Sequence, residues 1–324
     1  MTPAVDKHVG SEFAGFTFFA RSHPGELCGS NGLPLTPNSI TIYGRGQYLK
    51  TISHPNLCSY LDIIRGKHER TMVVSQYHME SVATKQLQLK DLSKFAFQTV
   101  KALCHLNEHN IVHRNLSPEN MLLNDDGNLQ LFNYGLYYMT DGGANVSFPI
   151  GHPKYTAPEV YLGGRNRRSG PKVDVWSLGM ILAELALQKE FWADLKLPQI
   201  MRKVLSLLHC NGKVFERLAR EHSCLETYQD LPTDLRDFIS LCLNINIHHR
   251  PTPHQLQDHT FVLAGQEENV TEIRQKAVTN KHPLLERQLK ELYHLWHLAG
   301  GDVQTELKKQ GLIRTKAPIL TLPE

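Results

Sequence analysis

Residues 111–135 read IVHRNLSPENMLLNDDGNLQLFNYG, and their reading decides the fold of this chain. An apolar pair, Ile111 and Val112, runs into a polar loop that ends at the strand-like run Met121-Leu122-Leu123. Asn124-Asp125-Asp126-Gly127-Asn128 has the composition of a tight turn, and Leu129-Gln130-Leu131-Phe132 returns with alternating character, so the stretch predicts a loop feeding a short hairpin. Three asparagines and a histidine–arginine pair crowd the loops on either side of that hairpin. Side chains of this kind bind and orient; apart from the histidine, they do not take up protons.

The stretch resembles the catalytic and metal-binding loops of the protein kinases, whose signatures run H-R-D-L-x-x-x-N and D-F-G. The spacing between the two signatures also fits. The resemblance places Asn115 at the catalytic aspartate, Asn133 at the metal-binding aspartate and Ser117 at the loop lysine. Asn120 remains at the second metal-ligand position. Phosphoryl transfer rests almost wholly on positioning and electrostatic stabilisation. Asparagine at 115 cannot accept a proton, and losing a general base costs about 10²–10⁴ in rate. Magnesium is ordinarily held by one or two carboxylates plus phosphate oxygens, and the Asn120–Asn133 pair carries no formal charge.

Further kinase signatures surround this loop. GHPKYTAPE (151–159) resembles the end of an activation segment, with His152 at the usual threonine. Asp174-Val175-Trp176-Ser177-Leu178-Gly179 resembles D-x-W-S-x-G, where the resemblance implies that the aspartate caps a helix and binds the catalytic loop's backbone. Arg250 stands where kinases pair an arginine with the A-P-E glutamate, here Glu159. The expected scaffold set is therefore His113, Arg114, Gly135, Glu159, Asp174, Trp176 and Arg250.

The first third lacks the matching chemistry. Residues 13–20 read as a strand, followed by Gly/Pro-rich sequence in which Gly25, Gly29 and Gly32 lack the G-x-G-x-x-G spacing. No lysine lies between Lys7 and Lys50, and Arg21 and Arg45 are the strong cations of that window. Residues 44–53 predict a helix, and the His54-Pro55-Asn56-Leu57 turn places Arg45 at the position of the helix glutamate. Leu49, one turn on, is expected to pack towards the catalytic loop. Residues 57–64 and 71–76 predict a strand pair, and Tyr77 and His78 the hinge. Asn120 and Tyr77 are the candidates for any residual nucleotide contact.

Apolar residues recur at helical spacing over 91–109. His105 and His109, four apart on that helix, read as a surface pair in the absence of a third metal ligand nearby. Thr140, Ser147 and Tyr155 are candidate phosphorylation sites. Arg165, Arg167, Arg168 and Lys172 form a basic connection, and residues 283–299 an amphipathic helix.

The 324 residues are 41% hydrophobic and 21% charged, with a formal charge of +3. That balance fits a globular protein and does not call for nucleic acid. Six scattered cysteines without a C-x-x-C pair argue against a disulfide framework or zinc knuckle, and no apolar run is long enough to cross a membrane. A cytoplasmic location is expected.

Together these features predict an α+β, two-lobed kinase-like fold. It would have a degenerate N-lobe over 1–78, a C-lobe over 79–262, and a helical tail and linker over 263–324. Within the superfamily, LCGSNGLPLTPNSI, the RGKHER turn and LAGGD resemble the kinase-like region of the TBC-domain-containing kinase-like family. The resemblance implies a catalytically inactive scaffold without cofactor or metal, with protein partners in Rab-linked endosomal trafficking and growth signalling. No TBC domain is expected within the chain. A residual protein kinase or a non-catalytic nucleotide switch is the alternative.

Overall fold

The computed structural model describes residues 13–20, 38–66, 70–85, 87–163, 170–210 and 212–279, with side chains to 270. The expected readings at Arg21, at the three N-lobe glycines, at Arg165, Arg167 and Arg168, and over 283–324 lie outside the described residues.

Three antiparallel strands form the N-lobe sheet: β1 (Phe13–Phe19), β2 (Tyr60–Arg65) and β3 (Arg70–Gln76), in the order β1-β3-β2. Alternation sets the faces, so that β1 buries Ala14, Phe16 and Phe18 while Phe13 and Phe19 stay exposed. Helix α1 (Asn38–Leu49) packs beneath the sheet through Ser39, Ile42, Gly46 and Leu49, a single face at helical spacing. Gly46 is required there, because a Cβ would collide with the Ile63 side chain on β2. This helix corrects the expected span of 44–53. It starts six residues earlier, at Asn38, and stops at Leu49. After it, Ile52 to Leu57 belong to the turn that carries the chain back to the sheet, closed by Leu57 N–H donating to the His54 carbonyl at 3.0 Å.

The C-lobe is helical, with a second sheet at its edge. Helix α2 (Leu92–Glu108) and strands β4 (Glu80–Ser81), β5 (Met121–Leu123) and β6 (Leu129–Leu131) come first, the strands in the order β4-β5-β6. Asn124 builds the hairpin turn, its side-chain oxygen accepting from the backbone of Asp126 and Asn128, while Gly127 takes φ +73°. The short helices α3 (Leu136–Met139) and α4 (Pro158–Leu162) bracket the activation-segment equivalent. Helix α5 (Lys172–Leu187) is buried along nearly its whole length, and Gly179 lets it approach Cys242. The set continues with α6 (Leu197–Ser206), α7 (Val214–Glu221), α8 (Leu225–Asp230), α9 (Thr233–Cys242), α10 (Pro253–Leu256) and α11 (Thr260–Thr279).

The lobes are stitched by backbone. Cys58 N–H donates to Leu131 O at 2.9 Å, and Leu131 N–H donates to Asn56 O at 2.8 Å. The architecture is the two-lobed α+β arrangement expected from the motifs. Helix α11 runs through position 262, where the C-lobe was expected to give way to the tail. Among the described residues no helix is long and apolar enough to cross a membrane, and no cluster of His, Cys, Asp or Glu is arranged to hold a metal ion.

Candidate functional site

The loop 113–120 is held by charge from below. Asp174, in the first turn of α5, accepts from the backbone N–H groups of His113 and Arg114, each at 2.8 Å. It lies inside the helix rather than capping it, since Pro171 precedes the first turn. Burial lifts its carboxyl to about 6, against the pull of those two donors. The two bonds hold Arg114 in the left-handed region, at φ +59°. His113 is completely buried, and burial pushes its imidazole down to about 3; its Nδ1 accepts from the Asn115 N–H at 3.3 Å.

Above this base the loops meet through amides. Asn133, at φ +59°, donates from Nδ2 to Asn120 Oδ1 at 3.2 Å. Asn120 Nδ2 donates in turn to the Asn115 carbonyl at 2.8 Å and to Ser117 Oγ at 3.4 Å. An amide carries both donors and an acceptor, so asparagines close such a chain without a cation. Asn133 Oδ1 is buried with no hydrogen-bond partner among the described residues. Four of the sequence-derived positions, Asn115, Ser117, Asn120 and Asn133, are thus brought together. His152 is not bonded to them. Its Nδ1 accepts from Lys154 N–H at 3.2 Å, and its carbonyl accepts from Thr156, both within its own turn.

The metal-loop sequence continues into the spine between the lobes. Tyr134 is fully buried, its ring edge-on to Tyr60 with centroids 5.0 Å apart. Gly135 N–H donates to Tyr60 Oη at 2.9 Å, and a Cβ on Gly135 would strike the Leu49 side chain. Leu49 therefore packs on the metal-loop glycine, which explains why glycine is needed there.

At the hinge, Tyr77 lays its ring edge-on to Phe132, with centroids 5.4 Å apart. Ala14 from β1, Cys58 and Leu122 complete this apolar cluster. His78 is tied to Gln130 at 2.6 Å, and Gln130 Nε2 donates to Pro55 O at 3.0 Å. At position 45, Arg45 Nη1 lies 3.1 Å from Asp141 Oδ1 and donates to Tyr138 O at 3.3 Å.

Glu159 and Arg250 form a two-pronged ion pair, at 2.6 and 3.2 Å. Arg250 is fully buried, donates also to Asn244 O and Lys172 O, and lies 5.0 Å from the Trp176 ring centroid. Lys172, expected in a basic connection, donates to the Ile247 carbonyl and so braces the same corner.

Two of the three candidate phosphorylation sites are corrected. Thr140 is fully buried with its hydroxyl on Leu136 O, and Tyr155 is buried with its hydroxyl donating to Glu184 at 2.7 Å. Packing decides both cases, because a kinase cannot reach a hydroxyl sealed in the core. Ser147 is exposed. The histidine pair lies at the partly exposed surface of α2, with His105 flanked by His54 at 5.0 Å and His109 at 4.7 Å.

Motif reading did not single out Phe132, Asp141 or the buried Lys154–Glu184 pair (2.9 Å). A glutamate inside the apolar run of α5 was the available signal for the last of these; nothing in the sequence marked the other two.

Comparison with known proteins gives a consistent result. The protein kinase domain family matches residues 39–262. The TBC domain-containing protein kinase-like protein of Homo sapiens is 40% identical over 363 aligned residues, covering 100% of this chain and 40% of the human protein. The mouse protein of the same name is also 40% identical, with the same coverage. The carbon catabolite-derepressing protein kinase of Candida glabrata is 31% identical over 161 residues, 48% of this chain and 26% of that kinase. This chain spans about 40% of the length of the first two relatives.

Proposed function

The chain belongs to the protein kinase domain family, and from that premise we propose that it is a pseudokinase, a kinase fold used as a protein-interaction scaffold. The carrying observation is the run of bonds in which Asn133 Nδ2 donates to Asn120 Oδ1 and Asn120 Nδ2 donates to the Asn115 backbone carbonyl. Neutral side chains stand at the positions where a kinase holds magnesium and a proton acceptor, and the Asn120 amide is engaged by protein on both its oxygen and its nitrogen. Both metal-ligand positions are neutral, so a bound magnesium would have no protein charge opposing it.

Three further features support the reading. The buried face of β1 presents Ala14, Phe16 and Phe18, with no cation to meet a phosphate. Tyr77, the hinge candidate for a nucleotide contact, spends its ring on Phe132. Arg45 is engaged with Asp141, so it is not available to substitute for the missing lysine.

The likeness to the TBC domain-containing protein kinase-like proteins supports a role beside Rab-linked trafficking, in the cytoplasm, with proteins as partners. GTPase activation is not proposed for this chain.

Melting the purified chain with millimolar ATP and magnesium tests the reading. The expected result is an unchanged melting temperature. A ligand at 100 times its dissociation constant adds about 2.7 kcal/mol of stability. A reproducible, magnesium-dependent upward shift would overturn the proposal in favour of a nucleotide switch or an unconventional kinase.

A further inference from the structure

Arg45 reverses the charge of the position at which a kinase carries its helix glutamate, and its partners lie on the activation-segment equivalent. Its guanidinium reaches the Tyr138 carbonyl at 3.3 Å and the Asp141 carboxylate at 3.1 Å, at the C-terminal end of α3. The same helix face contributes three more contacts. Tyr48 sets its ring 5.8 Å from Tyr138 and its hydroxyl 2.9 Å from His109 Nδ1, and Leu49 closes on Gly135.

The segment that these groups hold is folded and not a loose loop. Met139, Thr140, Asn145 and Val146 are all buried. Its backbone closes on itself through Asp141 N–H to Tyr138 O, Gly142 N–H to Tyr137 O and Asn145 N–H to Thr140 O. Asp141 sits at φ +55°, a conformation that aspartate tolerates better than most residues and that turns the chain at this point.

We propose that Arg45 and Asp141 form a charge latch that fastens helix α1 to residues 136–146, so that the two move as one body. In a catalytic kinase the helix position is coupled to the nucleotide through the strand lysine. Here the coupling runs from the helix straight to the activation-segment equivalent. The pair is partly open to solvent, with side chains 29% and 39% exposed, so the latch is breakable without unfolding the lobe. Leu49 on Gly135 supplies the apolar seat, and the ion pair sets whether the segment stays on it.

Hydrogen exchange of the full chain tests the latch without reference to nucleotide or activity, so it stands or falls independently of the pseudokinase reading. Arg45→Gln and Asp141→Asn remove one charge each, and the asparagine keeps the left-handed turn. Each variant is expected to speed exchange at the amides of 140–145 by about three- to fivefold, with the amides of α5 unchanged. The double variant is expected to be no faster than the faster single, as two halves of one interaction require. Unchanged exchange in both singles, or effects in the double that simply multiply, would overturn the proposal. A melting curve on each variant confirms that the comparison is made on folded protein.

Discussion

The corner of Glu159, Arg250 and Trp176 and the cleft of Asn115, Asn120 and Asn133 lie in the same C-lobe and treat charge in opposite ways. At the corner a fully buried guanidinium keeps its carboxylate, two backbone acceptors and an aromatic face. In the cleft, neutral asparagines stand at the two kinase aspartate positions, and Asn133 bonds Asn120, which bonds the Asn115 backbone carbonyl. The contrast separates two uses of charge within one fold. A buried charge whose partner is part of the protein is satisfied by the fold itself. In the cleft, amides donate and accept within the protein, so no ion is needed there to offset a charge.

The corner gives the largest test. Glu159→Ala leaves a buried guanidinium without its counter-charge, and breaking such a pair costs about 3–5 kcal/mol. Chemical denaturation should show a loss of that size, with Glu159→Gln losing less because it keeps one acceptor. A loss below about 1 kcal/mol for Glu159→Ala would erase the distinction between the two regions.

The cleft gives a smaller effect. Asn133→Asp sets two acceptor oxygens against each other where a donor met Asn120 Oδ1, and a broken buried hydrogen bond costs about 1–3 kcal/mol. Magnesium should not restore that loss. The double change Asn115→Asp with Asn133→Asp should likewise fold and transfer no phosphate, since groups that act as a unit recover little when repaired in part. Phosphate transfer above a heat-inactivated control, abolished by removing magnesium, would show that the N-lobe still grips nucleotide.

The smallest effect is on pH. Burial lowers His54 to about 4 and His113 to about 3, so both stay neutral in the fold, while the unfolded chain takes up protons near 6.5. Their contribution is therefore complete above about pH 6.5 and is lost as pH falls through the interval towards 4. Asp174, raised to about 6, acts in the opposite sense below that value and offsets part of the loss. Melting temperature should fall by on the order of a few degrees between pH 7 and pH 5. His54→Asn, which keeps an acceptor for the Asn56 N–H, should flatten that fall. An identical pH profile in the variant would remove His54 from the explanation.

The motif positions were legible because they depend on spacing along the chain. His113, Arg114, Asn115, Asn120 and Asn133 belong to one hairpin and its flanking loops, so the order of residues nearly dictates their neighbourhood. Helix α1 was read six residues short at its start because the missed run holds β-branched Ile40, Thr41 and Ile42, which are weak helix formers; Gly46, inside the part that was read, is present for Ile63, which the chain supplies much later. Tyr155 and Thr140 looked like ordinary loop hydroxyls, and only Glu184 and the Leu136 carbonyl removed them from the surface.

The sequence by itself determined the two-lobed α+β kinase fold and the neutral residues at its catalytic positions, since both follow from residue type at fixed spacing. Tertiary structure alone decided what those residues do. It turned Arg45 onto Asp141, laid Tyr77 on Phe132 and joined three asparagines into one chain. The physical reason is that a side chain's partner is chosen by packing between distant segments. Covalent order limits which groups can meet but does not select among them.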